Sequence, residues 1–289
     1  MKLALGTAQF GLAYGIANTE GQVTAGAAVK ILARARDAGM DTIDTAIAYG
    51  ESEQRLGEAG VNGWQIVSKL TAVPDGCTDI QAWVTANVDA SLARLQVPHL
   101  RGLLLHRPGQ LMGKNGRQLY QALLQLKDAG KVEKIGISIY EPSELDDLCA
   151  HYVFDLVQAP FNVFDRRLAT SGWLHRLHAE DVEIHVRSVF LQGLLLSVTG
   201  KSPPGFERWK SLWSSWRTWI IGAGSNPLRA ALGHVLSYPE ISRVVVGVDS
   251  LAQLNEILAC AESAQQRAPE TLATADLDLL NPARWPAFL

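Results

Sequence analysis

Short apolar, β-branched runs alternate with segments of helical period along the whole chain. That alternation is what strand–helix repeats around a parallel sheet produce. The runs predict eight strands: Leu3–Thr7, Thr42–Thr45, Gln65–Lys69, Leu100–His106, Lys134–Ser138, Leu156–Ala159, Glu183–Val189 and Arg243–Val248. Most of their residues are apolar, as expected of strands covered on both faces. Between them, stripes such as Ala28, Ile31, Leu32 and Ala35, or Ile80, Trp83, Val84, Val88, Leu92 and Leu95, predict helices with one face on the sheet. Gly39 and Gly130 stand where helices must stop and the chain turns back. Eight repeats with no spacer between them predict closure into a (β/α)8 TIM barrel, a single α/β domain over residues 1–289.

One segment breaks the rhythm. Residues 193–226 hold Trp209, Trp213, Trp216 and Trp219, spaced so that a helix would gather them on one side. Three readings stay open: a helix packed on the barrel, a lid or substrate wall at the mouth, and a subunit interface.

Composition narrows this picture. With 47% hydrophobic and 19% charged residues the chain can build a core, which excludes a disordered protein. A net charge of −3 without a Lys/Arg cluster excludes a nucleic-acid partner and docking on an anionic membrane. Cys77, Cys149 and Cys260 lie far apart with no C-x-x-C pair, so reduced cytoplasmic thiols are expected. The Leu3–Leu5 run is too short for a signal peptide, and no apolar run reaches the about 18 residues of a membrane span.

Polar residues close several of the apolar runs. The block Asp44-Thr45-Ala46-Ile47-Ala48-Tyr49-Gly50-Glu51-Ser52-Glu53, with Leu56-Gly57 after it, begins where the second run ends; Lys69 ends the third and His106 the fourth. In a barrel, the carboxyl ends of the strands face the catalytic mouth, so Asp44, Tyr49, Lys69 and His106 are candidates to converge there. Each has a plainer reading alone: a capping Asp, a wall Tyr, a surface Lys or a satisfied His. Their joint placement at one rim is what points to chemistry.

This block and the two strand-end residues resemble the aldo-keto reductase family, from Leu5-Gly6-Thr7 to the helix after the eighth strand; the opening Leu5-Gly6-Thr7-Ala8-Gln9-Phe10-Gly11 is similar to a bacterial branch of it. The resemblance implies a NAD(P)H-dependent oxidoreductase that interconverts an aldehyde, ketone or sugar aldehyde with its alcohol, without a metal. Reduction leaves an alkoxide that must receive a proton, and Tyr49 is the implied donor. A phenol titrates near pH 10 in water, at about 10, so a neighbouring cation must favour its ionised form. Lys69 is implied as that cation, Asp44 as its partner, and His106 as a hydrogen-bond donor to the carbonyl oxygen.

The resemblance also implies an extended dinucleotide across the mouth, without a Rossmann glycine fingerprint. It assigns Gly6 and Thr7 to the first loop by the nicotinamide, and Ser138, Gln158 and Asn162 to its carboxamide. Arg187, Ser188, Leu191 and Gly193 fall to the ring and pyrophosphate, and Gly247, Asp249, Gln253 and Glu256 to the adenosine end at a helix N-terminus. Ile139 stands where many relatives have Asn, and Arg187 where an aromatic often stacks on the nicotinamide. Gln253 stands where NADP-preferring relatives carry an Arg, so NADPH is expected on the family's habit while NADH stays open. Ser250-x-x-Gln253 reads equally as a capping box, and Gln158 and Asn162 as loop fasteners.

The expected partner is a small carbonyl or alcohol, and the short tail from Arg267 to Leu289 favours a small or polar one; the protein is expected as a monomer or weak homo-oligomer. The competing reading is a non-catalytic nicotinamide-nucleotide-binding subunit that presents the Trp segment to a protein partner. A barrel lyase or isomerase using Lys69 as a Schiff-base amine is the third.

Overall fold

The computed structural model describes residues 1–16, 18, 20–197, 205–262 and 266–287; residues 198–204 of the Trp-rich segment and 288–289 of the tail lie outside the described residues. Eight parallel strands close a barrel in sequence order: β1 Leu3–Gly6, β2 Thr42–Asp44, β3 Gln65–Leu70, β4 Leu100–Leu105, β5 Val132–Ser138, β6 Leu156–Pro160, β7 Glu183–Arg187 and β8 Arg243–Gly247. The principal helices outside it are α1 Ala25–Asp37, α2 Ser52–Ala59, α3 Ile80–Leu95, α4 Gly116–Asp128, α5 Glu144–His151, α6 Trp173–Ala179, α7 Lys210–Gly222, α8 Pro227–Leu236 and α9 Leu251–Ala261. The expected barrel is therefore the fold. Strand ends differ from expectation by one or two residues, because Thr7, Thr45 and His106 already belong to the loops that leave the sheet.

The period-2 alternation of a strand splits each one between two cores. Leu5, Ile43, Ile66, Leu103, Ile137 and Val246 join the helix stripes, including Ile31, Val84 and Leu123, in the main core outside the barrel. Full burial of each such side chain stabilises the fold by about 1.5–3 kcal/mol. Inside, Val67, Leu104 and Leu156 form a small apolar plug. It fits because the strands beside it carry glycine: a Cβ on Gly136 would lie 2.0 Å from the Leu156 carbonyl oxygen.

The plug divides two polar layers. Toward the amino-terminal rim, Glu183 accepts from Lys134 at 2.5 Å, Arg101 at 3.1 Å and His185 at 2.8 Å. Burial opposes its charge, yet the hydrogen bonds from His185 and Lys134 hold its carboxyl well below the usual range. Such a layer opposite the mouth serves stability.

The Trp-rich segment forms a second core. Trp213 and Trp216 of α7 pack with Phe164, Leu191, Leu195, Phe206 and Trp285. The Trp216 indole donates to Leu195 O at 3.1 Å and that of Trp209 to Asp276 at 2.9 Å. Trp209 lies in a short 3-10 turn ahead of the helix, and Trp219, partly exposed, stacks on Trp216 at 5.5 Å. With Trp209, Trp213 and Trp216 buried, those indoles are core and not an open surface.

Candidate active site

The loops after β1 and β2 are locked together before any chemistry is considered. Thr7 donates from both its backbone N–H and its hydroxyl to Asp44 O, each at 3.0 Å. Ser52, fully buried, donates to Thr7 O at 2.8 Å and contacts the Thr45 hydroxyl at 3.1 Å. Gly11 permits the close approach that follows: a Cβ there would lie 1.7 Å from Tyr49 O. Gly50 adopts φ +53, and its Cβ would lie 2.5 Å from Gly11 O. Only glycine takes both positions without strain. Glu53 is buried and saturated, accepting from Ser68 and Ser91 at 2.6 Å each and from Arg94 at 2.9 and 2.6 Å. The Ser-Glu of the motif thus holds the Tyr49 loop in place.

Above the apolar plug, the Lys69 ammonium lies 2.6 Å from one Asp44 oxygen and 2.8 Å from Thr45 O. Gln158 donates to the other Asp44 oxygen at 2.6 Å and accepts from Ser138 at 3.2 Å. Burial alone would lower the Lys69 pKa; the Asp44 carboxylate, followed by the Tyr49 phenol, reverses this and holds it above the ordinary lysine value. Lys69 also lies 5.1 Å from the centre of the Tyr49 ring. The His106 ring meets that of Tyr49 edge-on, with centroids 6.1 Å apart. Burial, then the Lys69 and Arg187 cations, push His106 down to about 4, so its imidazole is neutral at ordinary pH. The structure therefore brings Asp44, Tyr49, Lys69 and His106 together at the carboxyl-terminal rim.

The residues assigned to the cofactor divide. Gly6 and Gly247 are in register on adjacent strands; Gly6 is buried, with the Val245 side chain where a Cβ would project, and the Gln9 amide packs on Gly247, 2.7 Å from where a Cβ would lie. The loop after β7 carries Ser188, Leu191, Gln192 and Gly193 at φ +60, +47, +52 and +94. Leu191 is buried in the second core. Ser138 and Gln158 are engaged in the Asp44 network, and the Thr7 side chain in the loop lock. Asn162 accepts from the N–H groups of Phe164 and Asp165 at 2.9 Å and donates to Ser188 O at 3.0 Å, a loop fastener. Ser250 caps α9 by accepting from Gln253 N at 3.3 Å, while the Gln253 side chain accepts from Asp249 N at 2.8 Å, one residue ahead of the N-cap that the expected capping box would use. Glu256 is exposed on α9.

Residues that the sequence did not single out also reach this rim. Asn18 donates to Asp249 at 3.0 Å, and Gln192 contacts the Tyr14 hydroxyl at 3.4 Å, so the first loop touches both the β7 and β8 loops. Tyr140 lies under the Arg187 guanidinium at 4.6 Å. Tyr14 and Tyr140 follow strands in loops without periodicity, so no pattern marked them.

The closed parallel barrel thus carries an ion-paired lysine beside a tyrosine and a neutral histidine at its carboxyl-terminal rim, on a TIM-barrel scaffold. Residues 2–269 match the Aldo/keto reductase family model, and the chain belongs to that family. Its members are NAD(P)H-dependent oxidoreductases of small carbonyl compounds. The chain is 29% identical to aldo-keto reductase YhdN of Bacillus subtilis over 154 residues, 50% of this chain but only 46% of that protein's length. It is 22% identical to the uncharacterized oxidoreductase YqkF of the same organism, over 82% of each chain. It is also 24% identical to a Schizosaccharomyces pombe protein named as a candidate voltage-gated potassium channel subunit beta, over 86% of this chain and 83% of that one. Among solved structures, the holo form of an aldo-keto reductase from Bacillus halodurans superposes with a TM-score of 0.77 at 20% identity, covering 98% of this chain and 95% of that one. Among the described residues no helix is long and apolar enough to cross a membrane.

Proposed function

We propose that this protein reduces an aldehyde, ketone or sugar aldehyde to its alcohol, or runs the reverse, with Tyr49 as the proton donor and acceptor. The observation that carries this reading is the buried Lys69–Asp44 pair at 2.6 Å, set against Tyr49 with the neutral His106 edge-on to the same ring. A bound reduced nicotinamide supplies hydride to the carbonyl carbon. His106, uncharged, donates one N–H to the carbonyl oxygen and orients it. Tyr49 passes its O–H proton to that oxygen as negative charge builds there, and the fixed Lys69 cation stabilises the phenolate left behind. Asp44, saturated by Lys69 and Gln158, keeps the ammonium in position.

The left-handed loop after β7 fits a dinucleotide lying across the mouth. Gly6, Ser188, Gly193, Gly247 and Asp249 would hold it from the backbone side, with Gln253 and Glu256 at the adenosine end. We take NADPH as the first nucleotide and NADH as the second, since Gln253 offers no charge to a 2'-phosphate and its amide already caps α9. In this reading the protein is cytoplasmic, and a monomer or weak homo-oligomer. Titration of the protein's fluorescence with NADPH and NADH, followed by a carbonyl panel with the tighter nucleotide, tests it. Turnover is expected; tight binding without turnover of any carbonyl contradicts it.

The second reading, a nucleotide-binding subunit without turnover, draws on the relative named for a channel subunit. Against it stands the complete set of four catalytic groups. A protein partner would also need a surface other than the buried Trp213 and Trp216.

A further inference from the structure

Arg187 is the last residue of β7, in register with Pro160 on the row that turns toward the barrel axis. Its guanidinium lies 4.6 Å over the Tyr140 ring and donates to Ile139 O at 3.0 Å; a second nitrogen is 3.4 Å from the Ser188 hydroxyl. This seat is rigid, because Tyr140 N–H donates to Glu144 at 2.7 Å and Tyr140 O accepts from Arg167 at 3.2 Å.

Among the described residues no carboxylate oxygen lies within 4.0 Å of Arg187. Several other partly buried arginines are matched: Arg94 meets Glu53, Arg167 meets Asp165, and Arg243 meets Asp41. Arg166, which meets no acid, gives its nitrogens to the carbonyls of Val163, Ala268 and Pro269. Arg187 meets no acid and only one carbonyl, in a half-buried place where an unmatched charge is unfavourable. Its surroundings supply no compensating anion: Lys69 and Asp44 cancel, and His106 feels the positive fields of both Arg187 and Arg107.

The geometry points to Arg187 as the anchor for an acid group on the substrate, so that the carbonyl compound taken at this site carries a carboxylate or phosphate. The inference rests on the reading that Tyr49 and His106 receive the carbonyl oxygen. A planar guanidinium seated on an aromatic ring offers a fork that matches an oxyanion in two places. A phosphate of the dinucleotide has the same oxyanion chemistry, and the test separates the two sources.

The test compares kcat/KM for 4-carboxybenzaldehyde with that for 4-formylbenzamide, and for succinic semialdehyde with that for butanal, in wild type, Arg187→Gln and Arg187→Lys. Within each pair the size is close and the charge differs. The preference for the anionic member should fall about 10- to 100-fold in Arg187→Gln, as expected for losing charge-assisted hydrogen bonds, with partial return in Arg187→Lys. That fall should exceed any change in the affinity for NADPH or NADH. An unchanged preference overturns the inference, and a loss of nucleotide affinity with the preference intact assigns Arg187 to the cofactor instead. Calorimetric titration with succinate, in the presence of saturating NADP, reads the anchor without turnover. Succinate binding that is lost in Arg187→Gln upholds the anchor even if no aldehyde is reduced, and then the Tyr49 chemistry is what fails; equal succinate binding, or none, in both proteins overturns the anchor.

Discussion

Gln158 and Asp44, 114 positions apart in the chain, meet across the barrel axis at 2.6 Å, and this bond saturates the carboxylate oxygen that Lys69 leaves free. A buried ammonium and a buried carboxylate are tolerated together because both Asp44 oxygens accept hydrogen bonds and Lys69 donates to Asp44 and Thr45 O. Removing one charge of such a pair is far more damaging than the pair's own net worth. Asp44→Asn should therefore lower the unfolding free energy by about 3–5 kcal/mol and strongly reduce turnover. Denaturant unfolding measures this, and a midpoint equal to wild type would show that the Lys69 charge has another counterion.

The half-buried His106 and the buried His234 both steepen the acid side of the stability profile. Burial, then the Lys69 and Arg187 cations, push His106 down to about 4; burial, then the Arg166 and Arg267 cations, push His234 down to about 3. In the unfolded chain both titrate near 6.5, at about that value. Above that pH neither state holds the proton, and these groups leave stability level. Below it, the unfolded chain takes up protons that the folded chain refuses, so stability falls from pH 6.5 until each folded value is reached. Every pH unit in which one such histidine is protonated only when unfolded removes about 1.4 kcal/mol. His234→Gln should flatten the fall between pH 6 and 4, at roughly that slope; an unchanged slope in denaturant titrations would assign the acid sensitivity elsewhere.

The Gly11–Gly50 contact predicts a position-specific intolerance to a single methyl group. Gly11→Ala places a Cβ against Tyr49 O, and the loop must move to relieve it. A loss of about 1–3 kcal/mol of stability and a large drop in kcat are expected, with the Tyr49 ring displaced. Gly26→Ala is the control: it lies in α1 with nothing within 4 Å, and should raise stability by about 0.4–1 kcal/mol. Thermal unfolding and a rate assay on both variants check the contrast; equal behaviour of the two would contradict the packing account.

Gln253 gives a handle on nucleotide choice. Its side chain accepts from Asp249 N just ahead of α9 and carries no charge. Gln253→Arg should strengthen NADPH binding relative to NADH by about 10-fold, the worth of one charge-assisted hydrogen bond, while removing the cap weakens the start of α9 slightly. Parallel fluorescence titrations with the two nucleotides read this ratio, and no change in it would place the adenosine end away from α9.

The barrel was legible because its strands are covered on both sides, so Leu3–Gly6 or Gly102–Leu105 read as unbroken apolar runs. Three of the four catalytic candidates, Asp44, Lys69 and His106, were legible for the converse reason: a titratable group that ends such a run needs an explanation, and Tyr49 was legible only as part of the block that Asp44 opens. Gln158 was assigned to the cofactor, and its bond to Asp44 was not foreseen, since a partner on another strand leaves no mark in local pattern. The same holds for the indoles. Their spacing announced a helical face, but packing against Trp285 and Leu279 of the tail depends on contacts that only the folded chain creates. Arg187 was visible as a departure from its relatives, and its lack of an acidic partner was visible only in three dimensions.

Everything functional depends on the Tyr49 hydroxyl, and a rate measurement addresses it directly. The decisive comparison is oxidation of NADPH or NADH by a carbonyl panel with wild type and Tyr49→Phe, alongside the dissociation constant of each nucleotide. The account predicts turnover by wild type and a loss of about 100-fold or more in Tyr49→Phe, with nucleotide binding retained. Equal rates in the two proteins, or tight nucleotide binding with no turnover by wild type, would contradict it.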